Sequence, residues 1–166
     1  MKTDFFHTLT ALPGGLFDGD SVSLRLIRNE EDLAYAIFDC HLREEQKELV
    51  NPASFSIGRA YLHPAENYPC VICAEDGRRI GFMNMLRWLG AGEHVSWSYY
   101  LDEREQGKGY GKAAARLAIR ILKTAFPEQR IKLSTEECNR RAQDLYASLG
   151  FQLLEERDGD DLVFGL

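Results

Sequence analysis

The strongest chemical signal in the chain comes from three glycines at alternate positions, Gly107, Gly109 and Gly111, just ahead of a helical pattern. Without side chains at these positions, main-chain N–H groups stay accessible, and the N-terminus of a helix carries partial positive charge. Both features suit phosphate oxygens. Lys108 and Lys112 add cationic charge to the same turn. The segment therefore predicts a cradle for a phosphate-bearing ligand, although a plain connector between two elements would also use glycine.

Two familiar phosphate motifs fit this turn less well. The spacing Gly109-x-Gly111-x-x-Ala114 is that of a dinucleotide fingerprint. That fingerprint needs its first glycine close to the preceding strand, and here the polar residues 102–108 intervene. The Walker A pattern needs Ser or Thr after its lysine, where this chain has Ala113. Neither motif therefore accounts for the turn.

Local patterns place this turn between a strand and a helix. Residues 95–101 are rich in aromatic and branched side chains, which is typical of a strand. From Ala114 onward, apolar residues recur every three or four positions until Pro127, which predicts an amphipathic helix. A second helical stripe includes Tyr146 and ends at Gly150, a residue type that favours helix C-termini.

The whole pattern predicts the element order β-α-(α)-β-β-β-α-β-α-β-β. The first helix begins after Asn29, and residues 43–61 form a bent helical connection. Predicted strands cover residues 22–26, 70–74, 80–86, 95–101, 131–135, 151–156 and 162–166. We expect one α/β domain over residues 21–166, with helices on both faces of the sheet and residues 1–20 as an N-terminal extension.

Composition narrows the class of partner. The 166 residues include 26 acidic and 20 basic side chains, for a net charge of −6. A chain of this charge has no electrostatic reason to bind nucleic acid, whereas it mildly attracts a cationic substrate. No apolar run is long enough to span a membrane, and the first twenty residues lack the layout of a signal peptide.

The four cysteines indicate reduced thiols in a cytoplasmic protein rather than a disulfide framework. Cys70-x-x-Cys73 has a spacing seen in metal sites. It lies in a strand pattern, however, where residues three apart face opposite sides, and no second pair completes a site. We therefore expect no bound metal.

The glycine turn also carries a family resemblance. Gln106-x-x-Gly109-x-Gly111 resembles the Gln/Arg-x-x-Gly-x-Gly/Ala pyrophosphate loop of the GNAT superfamily of acyl-CoA-dependent N-acetyltransferases. Further along, Asn139-x-x-Ala142-x-x-Leu145-Tyr146-x-x-x-Gly150-Phe151 resembles the second signature of that superfamily, with Ser148 where many members have Lys. The resemblance covers about residues 22–166. It implies a mixed, mostly antiparallel sheet of about six to seven strands flanked by helices on both faces.

The resemblance also implies acetyl-coenzyme A as co-substrate and direct attack of an amine on its thioester. Contacts to the coenzyme are then expected from Tyr99, Tyr100, Leu101, Gln106, Gly107, Lys108, Gly109, Tyr110, Gly111, Lys112 and Asn139. A main-chain N–H near Leu101 would polarise the thioester carbonyl, and Tyr146 would donate a proton to the departing sulfur. A core-facing role is the other interpretation of Tyr146. Two carboxylates that flank the central strand, Glu93 and Asp102, are the candidate general bases, although exposed carboxylates usually just solvate a surface.

The acceptor is expected near the connection between the first two helices. Glu44, Glu45 and Glu48 lie close together there, either as a solvated helix face or as an acidic lip for a cationic amine. The pattern Gln46-x-x-x-Val50-x-Pro52 and its continuation to Tyr61 resemble the bacterial diamine/spermidine acetyltransferase branch. That branch has an Asp-Arg pair where this chain has Trp97-Ser98. Trp97 is accordingly a candidate for an aromatic acceptor wall or for the core.

Three functions follow from these patterns. The first is acetylation of a small primary amine, with a polyamine or diamine as the leading acceptor. The second is acetylation of a protein N-terminus or lysine, and the third is non-catalytic binding of acyl-coenzyme A. A homodimer is expected by analogy with the superfamily alone.

Overall fold

Two antiparallel sheets that meet at one short parallel contact frame the protein. The computed structural model describes residues 4–90 and 92–166. The larger sheet has the order β1-β2-β3-β4, formed by Val22–Leu26, Asn67–Ala74, Arg79–Trp88 and His94–Leu101. The smaller has the order β5-β7-β6, where β5 is Lys132–Thr135, β6 is Gln152–Asp158 and β7 is Asp161–Gly165.

The two sheets join at the start of β4. Val95 and Ile131 form a parallel bridge, and the N–H of Val95 donates to the carbonyl oxygen of Arg130 at 3.1 Å. Over the described residues, no further backbone pairing links β4 to β5. The two strands consequently leave a cleft between them beyond this contact.

Within residues 4–90 and 92–166, five helices cover the sheets. They are α1 (Phe5–Thr10), α2 (Glu30–Ala34, continued by a π-helical turn Tyr35–Asp39), α3 (Ala53–Leu62), α4 (Tyr110–Ala125) and α5 (Arg140–Ser148). Short 3-10 turns occupy Gly14–Phe17, Glu44–Gln46, Pro64–Glu66 and Glu103–Glu105. The mixed α/β fold with a mostly antiparallel sheet flanked by helices is confirmed.

The helix after the glycine turn is the best buried of the five. Its apolar positions, three and four residues apart, form one continuous face that packs into the main core. The buried members are Ala114, Ala115, Leu117, Ala118, Ile121 and Leu122. Burial of this face fixes where the N-terminus of α4 points, and with it the position of the turn.

The first residues of the chain belong to the same core. Phe5 and Leu9 of α1 are fully buried, and the ring of Phe5 stacks on that of Phe126 at a centroid distance of 5.0 Å. The segment predicted as an extension therefore contributes packing to the domain, from residue 4 onward.

Cys70 and Cys73 lie in β2 as buried free thiols. Across the part of the chain that the structure describes, no group of His, Cys, Asp or Glu side chains is arranged to hold a metal ion. Over the same residues, no helix combines the length and the apolar character that crossing a membrane requires.

Candidate active site

A cavity of about 870 Å³ fills the cleft between β4 and β5. One wall is residues 96–101 of β4, and the other includes β5 and the β6–β7 hairpin. The glycine turn, the start of α5 and the α2–α3 connection complete the lining. Several residues that the sequence analysis predicted for the site are distant in sequence but line this one cavity.

The glycine turn lies at this cavity in a conformation that requires glycine. Gly107 has φ +77° and Gly109 has φ +88°, a left-handed region in which side chains are strained. Gly109 is the N-cap of α4 and provides no side chain to cap the helix. The first N–H groups of α4 have no acceptors within the helix. Such groups suit an anion, and Gly109, Gly111 and Lys112 line the cavity.

Two residues of the turn that were predicted to contact the coenzyme, Lys108 and Tyr110, have other contacts in the structure. The ammonium of Lys108 pairs with the Glu105 carboxylate at 3.0 Å. The ring of Tyr110 is half-buried against the main core. Neither residue is among those that line the cavity. Arg141 of α5 does line it, which the sequence analysis missed, and a cation two positions after the helix cap Asn139 was the available signal.

The two tyrosines near the end of β4 face opposite sides of the sheet. Tyr99 is half-buried against the main core on the α4 side, and desolvation raises the pKa of its phenol. Tyr100 packs against Phe82, and its hydroxyl accepts a hydrogen bond from the N–H of Ala53 at 3.0 Å. Both line the cavity, but the hydroxyl of Tyr100 is occupied in anchoring α3 to the sheet. Burial raises the pKa of Tyr100 to about 12.

Gln106 closes the end of β4. Its side-chain amide donates to the carbonyl oxygen of Leu101 at 3.1 Å and exchanges two hydrogen bonds with the amide of Gln46. All three residues line the cavity. The carboxamide of Gln106 is therefore engaged by the protein, and the main-chain groups of the turn are left to face a ligand.

Tyr146 reaches the cavity from α5. Its ring lies 5.9 Å from Phe151 and 5.5 Å from Phe164, centroid to centroid. Burial raises the pKa of its phenol to about 12, so the hydroxyl stays protonated throughout the physiological range. Asn139, also in the cavity lining, caps α5 by accepting from the N–H of Ala142 at 3.2 Å. A protonated, largely desolvated phenol in a cleft is suited to donate a proton.

The two candidate bases lie outside the cavity lining. Asp102 is 1% exposed, and its carboxylate accepts from Arg104 and from the N–H of His41 at 3.0 Å. Burial alone would raise the pKa of Asp102, but these hydrogen bonds lower it to about 2. Glu93 accepts from Arg87 at 2.7 Å, at the opposite end of β4. Their role as bases stays a prediction, and the contacts of Asp102 favour a structural role.

The predicted acceptor residues are divided by the structure. Glu48 and Trp97 line the cavity, whereas Glu44 pairs with Lys47 in a 3-10 turn and borders a second, outer cavity. Glu45 is exposed beside it. The ring of Trp97 packs edge-on to Phe151 at 6.0 Å, and no acceptor for its buried indole N–H is found among the described residues.

Three carboxylates on the smaller sheet and its adjoining turns were not anticipated. Glu136, Asp158 and Asp161 line the cavity wall that faces β4, beside Arg157 and the Lys132–Glu156 ion pair at 2.6 Å. The pKa of Asp161 is raised, by burial first and then by repulsion from Glu136 and Asp158. The hairpin of β6 and β7 was predicted locally. What brings its acids to the cleft is the non-local pairing of β7 with β5.

Comparison with known proteins gives the chain its family. The model of the acetyltransferase (GNAT) family matches residues 31–151, which include the glycine turn and all of α5. The chain belongs to this family. The matched residues include both motifs, the glycine turn and the α5 signature. The resemblance inferred from these motifs is confirmed.

Individual relatives are more distant. The chain is 42% identical to the spermine/spermidine N(1)-acetyltransferase of Bacillus subtilis (strain 168) over 60 residues, which is 36% of this chain and 40% of that relative. An acetyltransferase structure from Agrobacterium tumefaciens superposes with a TM-score of 0.67 at 17% identity, covering 90% of this chain and 92% of that one. The ribosomal-protein-S5-alanine acetyltransferase of Vibrio fischeri gives 0.68 at 18% identity, covering 90% and 94%. At such identities the structural likeness shows the fold.

Proposed function

We propose that the protein transfers an acetyl group from acetyl-coenzyme A to a primary amine of a small cationic molecule, with polyamines and diamines as the first acceptors. One observation carries this proposal. A single cleft joins the glycine turn, which suits a diphosphate, to a wall that carries the carboxylates of Glu136, Asp158 and Asp161 beside Arg157 and the Lys132–Glu156 ion pair.

The chain's own residues fit the coenzyme. The N-terminus of α4 offers main-chain N–H groups without a side-chain cap, and Lys112 and Arg141 supply positive charge in the same lining. Between them and the parallel contact runs the open edge of β4, whose N–H groups can pair with an extended ligand. When bound, acetyl-coenzyme A supplies the activated acetyl group.

Direct transfer requires few groups from the protein. A main-chain N–H near Leu101 stabilises the negative charge that develops on the carbonyl oxygen. As the nitrogen–carbon bond forms, the carbon–sulfur bond breaks, and the phenol of Tyr146 gives its proton to the sulfur. The proton released by the amine passes through water and restores the phenol. The high pKa of Tyr146 supports its entry into the cycle as an acid.

The acceptor class rests on charge. Burial and then repulsion from neighbouring carboxylates raise the pKa of Asp161, and a ligand that brings positive charge reduces this repulsion. A diamine or polyamine presents two or more ammonium groups at a fixed spacing, of which one reacts as the free amine. The partial likeness to a spermine/spermidine acetyltransferase supports the same class.

The test is an acceptor panel. The protein is incubated with acetyl-coenzyme A and spermidine, putrescine, an aminoglycoside, a lysine peptide or a peptide with a free N-terminus, and released thiol is measured. We expect the highest kcat/KM with the polyamines and a rise in their KM with salt. Preference for a peptide would move the assignment to protein acetylation. No thiol release with any amine, together with no heat of coenzyme binding in calorimetry, would overturn the proposal.

A further inference from the structure

Two segments that line different sides of the cleft are hydrogen-bonded to each other. We call residues 39–53 the acceptor segment and residues 102–112 the coenzyme loop. The N–H of His41 donates to the Asp102 carboxylate at 3.0 Å, and the N–H of Glu103 donates to the carbonyl oxygen of His41 at 2.7 Å. These contacts bridge about 60 positions of sequence, so the two segments form one unit only in the folded chain.

The contact nearest the cavity is a reciprocal pair of amides. The Nε2 of Gln46 donates to the Oε1 of Gln106 at 3.1 Å, and the Nε2 of Gln106 donates to the Oε1 of Gln46 at 2.8 Å. Gln106 also donates to the carbonyl oxygen of Leu101 at 3.1 Å. A carboxamide has two N–H groups and one oxygen, so Gln46 and Leu101 together engage both kinds of group on Gln106.

Gln46 contacts the coenzyme loop where its glycine turn begins. Gln106 is the first residue of the turn, and its side chain cannot keep both partners if the acceptor segment moves away. The pair is partly buried, so water replaces the lost bonds incompletely. An arrangement of the loop that suits a diphosphate therefore also favours the observed position of the acceptor segment, and the reverse holds by linkage.

We propose that Gln46 is a positioning residue that couples the two halves of the cleft: through Gln106 it holds the coenzyme loop in place, and a ligand bound at the loop in turn orders the acceptor segment. The proposal rests on the proposed function in taking coenzyme A as the ligand of the loop. Gln46 acts through Gln106 and needs no contact with the reacting atoms.

The experiment uses coenzyme A as the probe and compares the unaltered protein with Gln46→Met, which keeps the length of the side chain but removes its amide. Gln152→Met, on the exposed surface of β6, is the matched control. Binding is measured by calorimetry, and deuterium exchange of peptides that cover residues 39–53 and 106–112 is measured with and without saturating coenzyme A. Melting temperature verifies that each variant is folded.

In the unaltered protein and in Gln152→Met, we expect coenzyme A to slow exchange in both segments. In Gln46→Met, saturating coenzyme A should still slow exchange in residues 106–112, but the effect on residues 39–53 should be lost, and affinity should fall about threefold to tenfold, as for two side-chain hydrogen bonds.

Slowed exchange of residues 39–53 that persists in saturated Gln46→Met would overturn the coupling, because it would show that the ligand orders this segment without the amide pair. Equal protection changes and affinity in all three proteins would do the same, while leaving the proposed function intact. Absence of coenzyme A binding to the folded, unaltered protein would overturn the proposed function as well.

Discussion

The phenol of Tyr99 donates a hydrogen bond to the main-chain carbonyl oxygen of Gly111 at 3.1 Å. This contact ties the end of β4 to the first turn of α4, and so fixes the strand edge relative to the anion site. The rest of the Tyr99 side chain is half-buried and packs against the main core.

Tyr99→Phe removes this hydrogen bond and keeps the ring. We expect a loss of about 1 kcal/mol in the free energy of unfolding, which corresponds to about 2–4 °C in melting temperature for a domain of this size. Coenzyme A should also bind less tightly, because the turn is less fixed. Tyr61→Phe, at a side chain that is 85% exposed, is the control. An unchanged melting temperature and affinity in Tyr99→Phe would contradict this role.

Gly109→Ala should weaken the anion site through the backbone. A Cβ at Gly109 would meet nothing within 4 Å, so the penalty comes from its φ of +88° and not from crowding. A left-handed conformation costs a non-glycine residue about 1–2 kcal/mol, and relief of that strain would turn the N-terminus of α4 away from the cavity. We expect lower stability in urea and a clear loss of coenzyme A affinity by calorimetry.

Gly58→Ala is the matched comparison for that variant. Gly58 lies within α3, where an added Cβ would likewise meet nothing within 4 Å, and its φ is not positive. Alanine there should stabilise the protein by about 0.5–1 kcal/mol and leave coenzyme binding unchanged. If both substitutions had the same effect, the special conformation of Gly109 would not be the cause.

Tyr146→Phe should lower kcat by about 100-fold or more while coenzyme A still binds, because a positioned general acid contributes roughly that much. With a pKa near 12, Tyr146 of the unaltered enzyme stays protonated from pH 7 to pH 10. Loss of this proton should therefore not reduce the rate in that range. The measurement is kcat against pH, by thiol release. A different outcome would contradict this prediction: a rate that falls with a midpoint near pH 9 in the unaltered enzyme but not in Tyr146→Phe. It would mean that the pKa of Tyr146 is well below 12.

Asp161→Asn removes a carboxylate from the acidic wall of the cleft. We expect the KM for spermidine to rise about threefold to tenfold, with little change in the KM for acetyl-coenzyme A, because charge near the acceptor is lost. Since the pKa of Asp161 is raised, lowering the pH should neutralise Asp161 before it neutralises ordinary exposed aspartates. Asp20→Asn, away from the cavity lining, serves as the control. Equal KM values for spermidine in both variants would remove Asp161 from the acceptor site.

Asp102→Asn tests the carboxylate that holds the start of the coenzyme loop. The pKa of Asp102 is lowered from 3.8 to about 2, so its charged form stabilises the fold by at most about 2 kcal/mol. A depressed pKa contributes stability above the unfolded value, and that contribution is lost as pH falls from about 4 to about 2. The variant should be less stable than the unaltered protein at pH 7, and the difference should shrink toward pH 2. Urea unfolding at both ends of this range measures it.

Local patterns were sufficient for most of the fold. The apolar steps of α4, the end of α5 at Gly150 and the β2–β3 hairpin are properties of short segments, and the order of strands and helices followed from them. Successive side chains of a strand face opposite sides of the sheet, so Tyr99 and Tyr100 of β4 were bound to face different sides. The sequence analysis did not take this into account when it expected both tyrosines to contact the coenzyme.

The remaining features depend on contacts between distant segments. Asp102 follows a strand and looked like an exposed carboxylate, but its burial depends on His41, 61 positions away. The acids Asp158 and Asp161 belong to a hairpin that is typical of a surface turn, and only the order β5-β7-β6 brings them to the cleft. The amide pair of Gln46 and Gln106 has no sequence signal of its own.

The bridge between Val95 and Ile131 has a mechanical consequence. Each sheet keeps its own ladder of hydrogen bonds, and the described residues of β4 and β5 share backbone pairing only at this point. The angle between the two strands can therefore widen or narrow by small rotations about this point, without breaking a ladder bond in either sheet. Side chains near the bridge would then decide whether the cleft admits a thioester with a longer acyl group. Trp97 is two residues from Val95 and is one of these side chains.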